Sequence, residues 1–207
     1  MAHGPRYRVP YRRHREGKTD YRKRLKYLLS GKPRFVVRRF TNNFVVQVIE
    51  YKPDGDKVVV TVHSKRLYKD FGWKGHRGNM STAYLTGLVC GFEAISKGIT
   101  ECILDIGRQR ATKGNSLFAA LKGAIDAGLR IPYSEEILPS EDRIRGEHIT
   151  NYAKLLKEQD PDKYKVQFSR YINNNLDPTE FSKHFDEVKT KIVEHYEKLL
   201  SKAQAKE

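Results

Sequence analysis

The chain has 207 residues, and 40 Lys+Arg against 25 Asp+Glu give a formal net charge of +15 and a pI near 9.7. That length fits one core of ordinary size, or a core with an appendage, and 38% hydrophobic content lies above the disordered range. No stretch is long and apolar enough to span a bilayer, and no apolar run of a secretory signal follows the basic start, so the expected partner is acidic: nucleic acid first, an anionic membrane surface second.

Charge is concentrated at one end. Residues 1–39 carry 14 Lys/Arg and 2 Asp/Glu, while the rest of the chain is nearly balanced. Residues 1–30 therefore read as a basic RNA-binding extension. In it Arg6, Arg8, Arg12, Arg13, Arg15, Lys18, Arg22, Lys23, Arg24 and Lys26 interleave with Tyr7, Tyr11 and Tyr21. Pro5 and Pro10 favour an extended path at first. A short helix is expected from Thr19 onward, capped by Thr19 or Asp20. Arginine predominates; its planar fork suits phosphate, and both it and tyrosine stack on bases. The plainer alternative is a solvated basic tail or a localisation signal.

Residues 31–133 read as an α/β core. Three strands are predicted, at about 35–40, 44–51 and 57–63, joined by Asn42-Asn43 and Pro53-Asp54-Gly55 turns into an antiparallel meander. An irregular loop with Tyr68, Lys69, Phe71, Trp73, Lys74, His76 and Arg77 follows, in which Trp73 either stacks on a base or closes the edge of the core. Asn79 or Ser81 caps a helix to about Lys97, stopped by Gly98; its stripe of Ala83, Gly87, Cys90 or Gly91, and Ala94 suits close packing on a sheet. The apolar run 100–106 reads as a buried strand, residues 107–114 as a loop carrying Arg108, Arg110 and Lys113, and residues 115–127 as a second helix. The order β-β-β-α-β-α predicts a mixed four-stranded sheet with two packed helices, the fourth strand parallel to its neighbour. Residues 134–207 read as a helical appendage: one helix from Ser140 to about Gln159 and two more opened by Asp160-Pro161 and Asp177-Pro178. They form either a cap on the core or a partner surface.

Chemistry-bearing motifs are missing. No phosphate-binding P-loop or dinucleotide fingerprint is present, and His3, His14, His63, His76, His148, His184 and His195 are scattered without an HExxH. Cys90 and Cys102 make no metal-type spacing and read as buried free thiols of a reducing cytosol. A two-metal nuclease is the one enzyme alternative, with Asp105 at a strand end and Asp54, Asp56, Glu93 or Asp126 as further ligands; each also reads as an ordinary structural or surface charge.

Four segments in order carry a family resemblance: RRHREGKTDYRKRL (12–25), AYLTGLVCGFEA (83–94), LDIGRQRATKGNSLFAALKGAIDAGLRIPYS (104–134) and FSRYINNN (168–175). They resemble the archaeal and eukaryotic branch of the large-subunit ribosomal proteins that bind 5S ribosomal RNA, L-eighteen in archaea and bacteria and L-five in eukaryotes. His14 stands where that family has an unbroken arginine run. The resemblance implies a structural protein of the central protuberance, in the cytoplasm, bound to 5S RNA, to the large ribosomal RNA and to neighbouring ribosomal proteins. It implies no catalysis, cofactor, metal, membrane or small-molecule substrate. It also implies RNA contacts by residues 12–26 and by Arg108, Arg110 and Lys113, and the chain's length suggests the compact archaeal type. A non-ribosomal RNA-binding or chaperone protein with the same core is the runner-up.

Overall fold

The computed structural model describes residues 4–204, with side chains described as far as residue 199; His3 lies outside the described residues. Strands β1 (Arg34–Arg39), β2 (Phe44–Glu50) and β3 (Lys57–His63) form the expected meander, and β4 (Ile103–Asp105) adds in parallel to the far edge of β1, giving the order β3-β2-β1-β4. The turns close where the Asn and Gly residues predict: Phe40 N–H donates to the Asn43 carbonyl (2.9 Å), and Gly55 N–H to that of Lys52 (3.1 Å). β4 is shorter than its apolar run because residues just before it turn toward the segment leaving the second core helix. Glu101 bridges to Arg130, and Cys102 N–H donates to the Arg130 carbonyl (3.0 Å).

Strand periodicity gives the sheet two unlike faces. Phe35, Val37, Phe44, Val46, Val48, Val60 and Val62 point into the core, where helix α4 (Met80–Ser96, capped by the Asn79 side chain) lies over them. Full burial of each contributes about 1.5–3 kcal/mol before conformational entropy is subtracted. The opposite face presents Arg34, Val36, Arg38, Gln47, Ile49 and Asp105.

α4 packs beside α5 (Ser116–Asp126, capped by Asn115). Here the small-residue stripe differs from its expected use. Gly87 and Gly91 face Ala120, Ala124 and Ala127 rather than the sheet, and Gly123 faces the backbone of Tyr84 and Leu88. Two helices sharing one layer over a narrow sheet must approach each other, and only a missing Cβ permits this spacing.

The stretch expected as an irregular loop begins with a helix, α3 (Lys65–Asp70), pinned by buried Leu67 and by Arg66, which pairs with Asp70 (3.3 Å) and Glu93 (2.7 Å). The helix expected over 140–159 is interrupted. Gly146 adopts φ +81 between α6 (Glu141–Arg145) and α7 (Glu147–Gln159), and the Phe181 ring fills the place of a Cβ there. The Asp-Pro signals hold: Asp160 caps α8 (Pro161–Gln167), and Asp177 caps a 3-10 turn, Pro178–Glu180, that leads into α10 (Phe181–Gln204). A short α9 (Ser169–Asn173) extends the second segment. Phe181, Phe185, Val188, Ile192 and Tyr196 recur along α10 at helical spacing and join the same cluster as Trp73, Tyr84 and Phe92.

Cys90 and Cys102 are buried and free. Burial pushes the Cys102 thiol up to about 12 and Cys90 higher still, so neither is a thiolate at neutral pH. No helix among the described residues is long and apolar enough to cross a membrane.

Candidate nucleic-acid interface

The basic extension folds back on the sheet instead of trailing away. Its first part makes one helical turn, α1 (Arg12–Arg15), where an extended path was expected, because the Arg15 and His14 N–H groups both donate to the Tyr11 carbonyl (3.1 and 2.9 Å). Gly17 at φ +68 reverses the chain, Arg13 Nε donates to Thr19 Oγ1 (3.0 Å), and the Tyr11 and Tyr21 rings meet at 5.1 Å. Asp20 then accepts from the Arg22 and Lys23 amides (3.1 and 3.2 Å) and caps α2 (Tyr21–Leu28). Those amide bonds favour the charged carboxylate and lower the Asp20 pKa.

α2 lies over the open face of the sheet and encloses with it a cavity of about 260 Å³. Its floor is a chain of alternating charges. Arg24 Nη2 donates to both oxygens of Asp56 (2.8 and 2.9 Å), and Arg34 Nη2 donates to Asp56 Oδ2 (2.5 Å). Arg34 Nη1 donates to Asp105 Oδ2 (3.0 Å), and Arg38 Nη2 to Asp105 Oδ1 (3.0 Å). Gly107 N–H also donates to Asp105 Oδ1 (2.8 Å), and Arg38 Nη1 reaches the Asp105 carbonyl (2.7 Å). Asp105 is thus neutralised by two arginines, and three of its roughly four acceptor sites are filled by protein donors. The other carboxylates of the nuclease alternative are also occupied or apart: Glu93 pairs with Arg66, Asp126 with Lys122 (3.3 Å) and with the Tyr84 hydroxyl (2.8 Å), and Asp54 sits exposed in its turn.

Of the arm cations, Arg6, Arg8, Arg15, Arg22, Lys23 and Lys26 are exposed, as is Tyr11. Arg12 and Lys18 share Glu16 (3.6 and 2.8 Å) but keep open side chains. The loop 107–114 stands against the arm, with the Arg108 guanidinium beside Gly17 and Arg110 exposed. Gln109 Nε2 donates to the Arg39 carbonyl (3.4 Å), and Lys113 pairs with Glu136 (2.7 Å), both side chains largely exposed.

Beyond Lys113 lies a polar hollow of about 460 Å³ lined by Arg39, Lys113, Arg143 and His148, with the N-cap residues Asn79 and Asn115 of α4 and α5 on its wall and no carboxylate. Desolvation and then the Arg143 charge lower the His148 pKa, so the ring is neutral at pH 7. Arg38, Arg39, Arg143 and His148 were not singled out in the sequence. The first two read as strand residues and the other two as a solvated helix, and no local pattern joins them.

The second predicted cluster divides. Trp73 is fully buried, and its indole N–H donates to Thr82 Oγ1 (2.8 Å) while the ring stacks on His184 at 5.2 Å. It closes the core and is unavailable to a base, which corrects the stacking expectation. Lys69 is exposed; Lys74 Nζ donates to the Asn175 carbonyl (3.3 Å). Arg77 lines a separate pocket with Tyr68, Arg170 and Asn174, joining the 68–77 stretch to the FSRYINNN segment and not to the arm.

The family model described as Ribosomal large subunit proteins 60S L5, and 50S L18, matches residues 5–99 and 93–134. The chain belongs to this family. It is a large-subunit ribosomal protein, and the matched residues span the arm, the sheet, α4, α5 and the basic loop between β4 and α5. The family match ends before α6, so the resembling segment 168–175 and α10 lie outside it.

Proposed function

We propose that this protein binds 5S ribosomal RNA and helps attach it to the large subunit at the central protuberance, in the cytoplasm, as a structural constituent and not an enzyme. Residues 1–30 and the loop with Arg108, Arg110 and Lys113 supply the main RNA contacts. Residues 31–133 orient them, and residues 134–207 brace the core beside neighbouring ribosomal proteins and large-subunit RNA. The observation that carries the reading is the meeting of two basic segments far apart in sequence: the Arg108 guanidinium lies against Gly17, so arm and loop present one positive surface. Such a surface neutralises phosphates and releases counterions, and affinity should fall with salt at a slope of about −0.9 per phosphate contacted.

Competition binding with labelled 5S RNA and excess transfer RNA, at two salt concentrations, tests it. Preferential retention of 5S RNA at the higher salt is the expected result. Equal displacement by transfer RNA would reduce the protein to a general polycation and sink the 5S assignment.

A further inference from the structure

Asp56 is an acidic residue set within the basic surface, and its partners lie on both sides of the arm–sheet junction. α2 has eight residues, none of them buried. A helix of that length is not stable alone in water, so something must hold it against the sheet. Among the described ion pairs, Arg24 is the α2 residue that reaches the sheet side, through both oxygens of Asp56. Asp56 is itself fixed from below by Arg34, whose side chain is only 5% exposed and is locked at its other end by Asp105. The Arg24 and Asp56 side chains are 29% and 25% exposed, which screens their pairing less than an open surface pair.

We propose that Asp56 is a positioning residue for RNA binding: it latches α2 to the sheet so that the cations of the arm are ordered before RNA arrives. This rests on the RNA-binding reading above. The physical effect is preorganisation, since an arm already docked loses less conformational entropy on binding than a free one.

The proposal has a sign that simple charge counting reverses. Removing a carboxylate raises the net charge by one and by Coulomb attraction strengthens RNA binding. Asp54, two residues earlier, is exposed in the same turn and makes no ion pair among the described residues, so Asp54→Asn reports that charge effect alone. Asp56→Asn adds the same charge but releases α2.

Binding of 5S RNA and of transfer RNA by the full chain is measured for wild type, Asp54→Asn, Asp56→Asn and Asp56→Glu, with amide hydrogen exchange of α2 in the absence of RNA. Asp56→Asn is expected to weaken 5S binding roughly tenfold, to leave transfer RNA binding equal or stronger, and to strip protection from the α2 amides. Asp54→Asn should leave 5S binding equal or stronger, and Asp56→Glu should restore most of the affinity. Arg24→Gln leaves the Asp56–Arg34–Asp105 chain intact, so loss of α2 protection in that variant reads the latch even if Asp56→Asn folds poorly. Matching 5S affinities in the two Asn variants, or unchanged α2 protection in Asp56→Asn and Arg24→Gln, overturns the proposal. A wild-type chain without 5S preference overturns the RNA role of Asp56 together with the reading it rests on, while α2 protection separately decides whether the latch exists.

Discussion

Gly87 and Ala120 meet backbone to backbone: a Cβ on Gly87 would fall inside the van der Waals envelope of the Ala120 carbonyl oxygen. Gly123 repeats the contact from the other helix, against the Tyr84 carbonyl. Since α4 also packs on β2 and β3 and against α6 and α10, it cannot slide away to admit a methyl group.

Gly87→Ala should therefore destabilise the fold by about 3 kcal/mol, despite the higher helix propensity of alanine. For a chain of this size that corresponds to a melting temperature lower by roughly 6–12 °C. An unchanged melting curve would mean that the helix pair is looser than its backbone contact implies.

The single tryptophan reports on the interior. Trp73 has no exposed surface and is enclosed by Phe181, His184 and Phe185. Its emission should be blue-shifted, resist acrylamide quenching, and stay unchanged when saturating RNA is added. A large quench on RNA binding would show that the segment around Trp73 reorganises.

The loop arginines are expected to serve binding and not stability. Arg108 and Arg110 are both exposed, and surface substitutions of that kind change stability by only about 0.5 kcal/mol. The double variant Arg108→Ala, Arg110→Ala should bind 5S RNA about tenfold more weakly with an unshifted melting temperature, each lost charge contact being worth roughly 1 kcal/mol or less. A substantial fall in melting temperature would reassign the pair to the fold.

Acid should weaken the fold through His184. Desolvation is the main cause lowering its pKa, and its Nε2 accepts a hydrogen bond from the Lys74 amide (3.1 Å), which only the unprotonated nitrogen can do. Glu187 opposes the shift but stands 4.0 Å away. With the folded pKa below the unfolded value of about 6.5, both states are neutral at higher pH and this stability is fully present. As pH falls below about 6.5, the unfolded chain takes up the proton first and stability declines until the folded pKa is passed. Thermal melts between pH 7.5 and 5.5 should show this decline, and His184→Gln should flatten it. An equal pH slope in the variant would assign the acid sensitivity to other groups, such as His76.

Much of the fold was legible from short windows of residues. Alternation and turn residues marked the three antiparallel strands to within a residue or two, Asp20, Asn79 and Asp160 acted as the caps they resemble, and the excess positive charge stood in the first fifth of the chain. The misses share a cause. Gly146 looked like an ordinary residue within a helix until Phe181, from a later helix, occupied the space beside it. For Trp73 the sequence left base stacking and core closure both open, and only the ring contacts from α10 decided for the core.

What the sequence determined by itself was local: where helices and strands begin and stop, which strand faces are apolar, where positive charge gathers, and which family motifs stand in order. The tertiary structure alone decided which distant groups meet. Arg34 and Asp105 are 71 residues apart and Arg24 and Asp56 are 32 apart. Backbone propensity acts over a few residues, whereas an ion pair or a helix seam depends on how whole elements dock. The basic segment that composition reads as an RNA-binding extension, free to trail in solvent, is one wall of a built surface once Asp56 and the sheet lie beneath it.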